Sequence, residues 1–195
     1  MVEGLEQKKK KKSAVKEVVS WLVYLIIFAA VAFFLIHYVG ERTVVSGDSM
    51  LPTLQNGDNL IVDKLSYRFR DPKRFEIVVF PFRYQEDTYY IKRIIGLPGE
   101  TVQIHDGNIY INGKQLKEDY GRETIRNSGL ASEAVTLGED EYFVLGDNRN
   151  NSADSREPSV GNIQKKDILG RAWLRIWPFA QFGLLVHHTA NNGTT

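Results

Sequence analysis

The sequence predicts a mainly β fold, an antiparallel β-sheet domain preceded by a single N-terminal transmembrane helix. Three observations carry that prediction. A long apolar run follows a cluster of lysines near the N-terminus. Beyond it, short apolar segments are broken by Gly, Pro, Asn and Asp, without helical periodicity. Two dipeptides, Asp106-Gly107 and Asn112-Gly113, supply the positive φ angles that tight hairpin turns need. At 195 residues there is room for one ordinary domain and an appendage.

The appendage comes first. Lys8 to Lys12 form an unbroken basic run, Lys16 follows, and from Trp21 to Val39 every residue except His37 is apolar or aromatic. A helix of that length covers roughly 30 Å, the hydrocarbon thickness of a bilayer. Lysines are retained on the cytoplasmic side, so the N-terminus is expected inside and everything after Gly40 outside. Trp21, Tyr24 and Tyr38 lie near the ends, where aromatic belts form. A cleavable secretory signal would have an apolar region of about 7 to 15 residues. Ala30-Val31-Ala32 has the small-x-small pattern of a cleavage site, but apolar residues continue on both sides of it. A buried core helix would leave the lysine run unexplained. The expected division is a basic cytoplasmic N-terminus over 1–17, the membrane helix over 18–40, an extracytoplasmic domain over 41–186 and a polar tail over 187–195.

Within the domain, candidate strands are Asn59 to Val62, Ile77 to Phe80, Tyr89 to Ile95, Thr101 to Ile104, Asn108 to Ile111, Tyr142 to Leu145 and Ile168 to Trp177. The two hairpin dipeptides predict an antiparallel meander around them. Glu118 to Glu141 is polar, contains three glycines and has no period, so it is expected as a surface loop away from the chemistry. The C-terminal stretch holds Trp173, Trp177, Phe179 and Phe182. It reads either as a strand and packed coil or as aromatics that dip into the bilayer interface.

Composition limits the chemistry. Lys plus Arg number 25 against 24 Asp plus Glu, so no global field recruits nucleic acid. Cysteine is absent, which excludes disulfides, thiolate zinc sites and a Cys nucleophile. The histidines have no site context: His37 is in the span, His105 is beside a hairpin turn, and His187 and His188 are in the tail. No metal site and no cofactor are expected.

Three segments remain as candidates. In Ser46-Gly47-Asp48-Ser49-Met50-Leu51-Pro52-Thr53-Leu54, Ser49 alone reads as a turn residue, because an unactivated hydroxyl is a weak nucleophile. The G-x-S-x-G elbow is missing. In Tyr90-Ile91-Lys92-Arg93-Ile94-Ile95, two cations sit inside an apolar strand whose faces alternate. Either the strand is an exposed edge with both charges wet, or one of them faces inward. A desolvated Lys92 would lose proton affinity and could act as a base. Gly146 to Arg156, directly after an apolar strand, packs two Asp, two Arg, three Asn and two Ser into eleven residues. It is either a solvated loop or a hydrogen-bonded network that positions something else.

Taken in this order after an N-terminal anchor, the three segments, with Gly170-Arg171-Ala172 before the last strand, resemble type I signal peptidases of the compact Gram-positive form. The resemblance implies an extracytoplasmic Ser/Lys endopeptidase that removes signal peptides from exported preproteins after small residues, Ala-x-Ala, through an acyl-enzyme. It implies Ser49 as nucleophile, Lys92 as general base, Ser152 as the residue that hydrogen-bonds the lysine, and Asp147, Asp154 and Arg156 as structural supports. Arg93 is expected to pair with Asp147. Met50, Val45, Leu54, Tyr90 and Ile91 are expected to line shallow pockets for the residues before the cleaved bond. The implied partners are signal peptides and the lipid bilayer. Two positions depart from patterns in the family: Gly47 stands where some members have a serine that helps hold the oxyanion, and Asn150 stands where the polar loop commonly has Asp. Self-cleaving Ser/Lys repressors share related chemistry, but the N-terminus leaves no room for their DNA-binding domain. A tethered β domain that only binds partners would tolerate loss of Ser49.

Overall fold

The computed structural model describes residues 2–34, 40–121 and 123–185. The expectations for His37, Tyr38 and Val39 and for the tail over 187–195 lie outside the described residues. The chain divides into two compact units, Met1–Gly40 and Glu41–Thr195.

The first unit is one helix, α1 (Val2–Phe34). No proline interrupts it, and the run of Leu, Ile, Ala and Phe loses little in helical form. Its window Lys16–Phe33 has a mean hydropathy of 1.9 with none of its surface packed against protein, long and apolar enough to cross a membrane. Helical backbone extends through the lysine run, further towards the N-terminus than the apolar segment alone indicates.

The second unit is built from β1 (Gly40–Val44), β2 (Asn59–Asp63), β3 (Ile77–Pro81), β4 (Tyr89–Gly96), β5 (Thr101–His105), β6 (Asn108–Ile111), β7 (Lys114–Gln115), β8 (Val135–Thr136), β9 (Glu141–Leu145), β10 (Ile163–Gln164), β11 (Gly170–Trp177) and β12 (Gly183–Leu184). All seven predicted strands are present. The last begins later than expected, at Gly170, because Lys165–Asp167 forms a 3-10 turn just ahead of it. The strands beyond the prediction, β1, β7, β8, β10 and β12, are short or polar, and their form follows from their partners.

The larger sheet has the order β1-β2-β11-β3-β4-β9-β10, with β12 also paired to β11; the smaller has the order β7-β6-β5-β8. Both hairpin turns take the predicted form, with positive φ at Asp106, Gly107, Asn112 and Gly113. They hold β5 against β6 in the register Val102↔Ile111, and β6 against β7. Three apolar clusters fill the layers. Val45, Met50, Leu54, Leu60, Ile77, Val79 and Ile91 form one; Val78, Phe80, Ile94, Tyr142, Val144 and Val160 form another; the third lies under the small sheet.

The segment 118–141 overturns its expectation. Tyr120, Ile125, Ala131 and Leu137 are buried in the third cluster, and Val135 and Thr136 pair with β5 as β8. Its apolar residues are spaced without a period because the segment coils over the sheet rather than forming one element, so no periodicity marks them as core. At the C-terminal end the aromatics are not packed: Trp177, Phe179 and Phe182 are all exposed. Replacing Leu137 by Ala should lower the unfolding free energy by about 2 to 5 kcal/mol, the cost of an apolar truncation inside a core. Denaturant unfolding in detergent measures it; a surface loop position would change stability by no more than about 0.5 kcal/mol.

Candidate active site

The site is organised by β4. That strand lies between β3 and β9, so its two consecutive cations are not on a wet edge. Lys92 is 4% exposed and Arg93 0%. Strand alternation sends them to opposite faces, and both faces are covered. Lys92 stands opposite Val78, and Arg93 stands opposite Ile77 on one side and Leu145 on the other.

Each buried cation must be compensated, and the two are compensated differently. Arg93 makes the expected pair with Asp147, in bidentate form: Nε donates to Oδ1 at 2.8 Å and Nη2 to Oδ2 at 2.6 Å, both side chains fully buried. Its Nη1 donates to the Phe75 carbonyl at 2.8 Å, and its guanidinium lies 3.6 Å from the centre of the Tyr120 ring. The Thr53 hydroxyl donates to Asp147 Oδ2 at 2.5 Å. Through Thr53 this pair reaches the segment that carries Ser49.

Among the described residues no carboxylate pairs with Lys92. Its Nζ donates to Ser49 Oγ at 2.8 Å and to the Ile91 carbonyl at 3.1 Å, and lies 4.9 Å from the centre of the Tyr90 ring. Burial pushes the amine down to about 8 from its ordinary 10.5, against the opposing pull of Asp154 and Asp147. Holding it there costs about 3 kcal/mol at about 1.36 kcal/mol per pKa unit.

Ser49 is presented by the turn after β1 and clamped from the polar loop. The Asn148 amide donates to the Ser49 carbonyl at 3.0 Å, and Asn148 Nδ2 donates to the Asp48 carbonyl at 3.0 Å. The Ser49 amide itself donates no hydrogen bond among the described residues. Gly146 admits this approach: a Cβ there would lie 2.5 Å from the Ser49 carbonyl oxygen and 2.3 Å from Ser152 Oγ. Gly47, the departure from the serine of some family members, has φ of +91°, where an L side chain is strained.

The rest of the loop is a closed network. Asp154 accepts from the Gly146 amide at 3.0 Å and takes Arg156 in a fork, Nε and Nη2 each at 2.8 Å. Arg156 also donates to the carbonyls of Arg149 and Asn127. Arg149 donates to the Gly146 carbonyl and forks onto Glu118 at 2.6 and 2.8 Å. Asn150 accepts from the Arg126 amide at 2.9 Å and donates to Glu123 and to the Thr124 carbonyl, tying the 118–141 segment to the loop. That segment therefore braces the chemistry, contrary to its predicted distance from it.

The bond from Ser152 to Lys92 that the resemblance implies is not formed. Ser152 Oγ is buried without a hydrogen-bond partner among the described residues, and it lies over Gly146 while the amine is taken up by Ser49 and Ile91.

A cavity of about 640 Å³ opens over Ser49 and Lys92, walled by residues 42–50 on one side and 87–92 on the other. Val45, Met50, Tyr90 and Ile91 line it as expected. Leu54 does not; it is fully buried in the apolar cluster with Val45 and Met50, and acts on the cavity only through them. β9 pairs with β4 only from Arg93 onward, so one edge of Tyr89 to Lys92 is left without a strand partner. Sequence reasoning missed Asn148, Thr53, Arg149 and Glu118 as individuals. Asn148 and Arg149 lie within the flagged loop and Thr53 within the flagged serine segment, whereas Glu118 is a single polar residue whose partner is remote in the chain. Among the described residues no group of His, Cys, Asp and Glu could hold a metal ion.

Comparison with known proteins shows which family the chain resembles in sequence. Residues 18–177 match the family described as signal peptidase, peptidase S26. A protein described as probable signal peptidase I-2 of Synechocystis sp. is 45% identical over 154 residues, 76% of this chain and 68% of that protein. Signal peptidase I P of Bacillus subtilis subsp. natto is 36% identical over 180 residues, 89% of this chain and 95% of that protein. A crystal structure of a signal peptidase I from Enterococcus faecalis is 37% identical, with a TM-score of 0.44 over 52% of this chain and 97% of that one.

Two measurements test the electrostatics. Asp147→Ala should destabilise by about 3 to 5 kcal/mol because it strands a fully buried guanidinium, and the double variant Arg93→Met/Asp147→Leu should recover most of that loss in denaturant unfolding. The Lys92 cost is fully present below about pH 8, where the amine is charged in both folded and unfolded chains. It fades as pH rises towards the unfolded value, because only the unfolded chain then still holds the proton. Lys92→Met should therefore exceed the parent in stability at pH 7, with that advantage shrinking by about 3 kcal/mol by pH 10.5.

Proposed function

Since the chain belongs to the signal peptidase family, peptidase S26, a family of endopeptidases, we propose that it removes signal peptides from exported preproteins using Ser49 as nucleophile and Lys92 as general base. The observation that carries this reading is the 2.8 Å contact between Ser49 Oγ and a buried amine whose pKa is held near 8.

When Lys92 is neutral the direction of that bond reverses and the hydroxyl donates to the amine. Ser49 Oγ then attacks the scissile carbonyl as its proton passes to Lys92. The peptide C–N bond breaks with that proton delivered to the leaving amine, and an ester to Ser49 remains. Water attacks the ester, gives a proton to Lys92, and the proton returns to Ser49 as the signal is released. The Ser49 amide, which donates no hydrogen bond among the described residues, is one donor for the oxyanion. Asp147, Asp154 and Arg156 hold the loop that clamps the nucleophile, and Ser152, beside Gly146, supports the same turn.

Substrate fits as an added strand. The unpaired edge of Tyr89 to Lys92 offers backbone hydrogen bonds to an extended chain, and alternate side chains enter the cavity lined by Val45, Met50, Tyr90 and Ile91. Small residues, Ala-x-Ala, suit these shallow apolar walls. α1 anchors the enzyme with its N-terminus in the cytoplasm and the Ser49 domain outside. Eight residues lie between Gly40 and Ser49, a reach of at most about 30 Å, which keeps nucleophile and signal helix at one membrane face.

Ser49→Ala and Lys92→Ala should each abolish cleavage of a preprotein in detergent or liposomes while leaving the fold intact by circular dichroism; full activity in either variant would end the proposal. The kcat/KM of the parent should rise with pH along an acid limb centred near 8, since only the neutral amine accepts the proton. A flat profile from pH 5 to about 9 would contradict Lys92 as base.

A further inference from the structure

The cavity over Ser49 does not end at the nucleophile. Its lining includes Asn151 and Ala153, and these same two residues open a second groove of about 430 Å³ with Ser152 between them. The far wall of that groove comes from the 118–141 segment, through Asn127 and Gly129. An extended chain that lies along Tyr89 to Lys92 and crosses Ser49 therefore leaves over residues 151–153 into this groove.

The groove is polar, with exposed Arg126, paired to Glu123, and exposed Glu157 in its wall; its buried charges are paired within the protein. Arg149 is forked onto Glu118, and Arg156 is forked onto Asp154 and also bonded to two carbonyls. Asn150 spends its carboxamide on Arg126, Glu123 and Thr124. Asn151 differs from its neighbours. Its side chain is exposed and makes no hydrogen bond among the described residues, and it stands where the two spaces meet. A carboxamide carries both donor and acceptor, which matches the alternating groups of a peptide backbone.

Resting on the Ser/Lys reading above, we propose that the second groove binds the first residues of the mature polypeptide, on the leaving side of the cleaved bond, and that the Asn151 carboxamide hydrogen-bonds their backbone. The acyl side is thus held by the apolar side chains Val45, Met50, Tyr90 and Ile91 and a strand edge, and the leaving side by a polar groove with the Asn151 carboxamide at its entrance. Peptide recognition through backbone bonds accommodates any exported protein, because the mature N-terminus varies while its backbone does not.

The test uses the full chain in detergent and peptides with one fixed acyl side, ending one, three or five residues after the cleaved bond. The parent should cleave the five-residue form with a kcat/KM several-fold above the one-residue form. Asn151→Ala should reduce that ratio about fivefold, the loss of one backbone hydrogen bond, and Asn151→Gln should restore part of it. Equal kcat/KM for all three lengths in the parent would overturn the groove. A uniform loss for all lengths in Asn151→Ala would overturn the role of Asn151, since it would mean only a displaced nucleophile. Cleavage of none of the peptides, with the parent folded, would instead count against the Ser/Lys reading itself.

Discussion

The second unit is organised around two consecutive cations in one central strand. A strand inside a sheet cannot hide neighbouring side chains on the same face, so Lys92 and Arg93 each require a separate buried environment. Arg93 receives a carboxylate and becomes a structural tie from β4 to the polar loop and to Thr53. Lys92 receives a hydroxyl and a carbonyl, and its ammonium gives up its proton more readily, near pH 8. The same burial therefore produces a brace on one face and an amine of lowered proton affinity on the other.

This division explains why the polar loop is so elaborate. Asp147 and Asp154 each raise the proton affinity of Lys92 through space, which opposes the effect of burial. Their charges are neutralised locally by bidentate arginines, Arg93 and Arg156, which limits that opposition to less than the effect of burial. What remains is a loop rigid enough for Asn148 to fix the Ser49 turn by two hydrogen bonds. Gly146 permits the approach, and the Glu118 to Arg149 fork ties the loop back to the 118–141 segment. Rigidity here is purchased with satisfied ion pairs, which lose strength only if one partner is removed.

Against the binding of substrate, the same construction leaves two features unsatisfied on purpose of geometry: the free edge of Tyr89 to Lys92 and the unpaired groups at Asn151 and Ser152. Of these, Ser152 Oγ is a buried hydroxyl without a hydrogen-bond partner among the described residues, which is uncommon, whereas the Asn151 side chain is exposed. In the proposed reading both lie on the path that an extended peptide takes across Ser49.

Much of this was legible from the chain alone. An apolar run of bilayer length, period-two segments such as Ile77 to Phe80, and Asp-Gly and Asn-Gly turns are local signals, and local sterics and hydropathy determine them without reference to the rest of the molecule. The pairing of Arg93 with Asp147 and the meeting of the Ser49 and Lys92 segments came through ordered motifs. Only the tertiary structure decided that β4 is central rather than an edge, since strand order depends on which remote segments pair. It also decided that Leu54 is core, that Ser152 turns to Gly146 instead of to Lys92, and that Glu118 to Glu141 packs as core and brace. Each of those outcomes depends on contacts between residues far apart in the chain, and neither composition nor period records them.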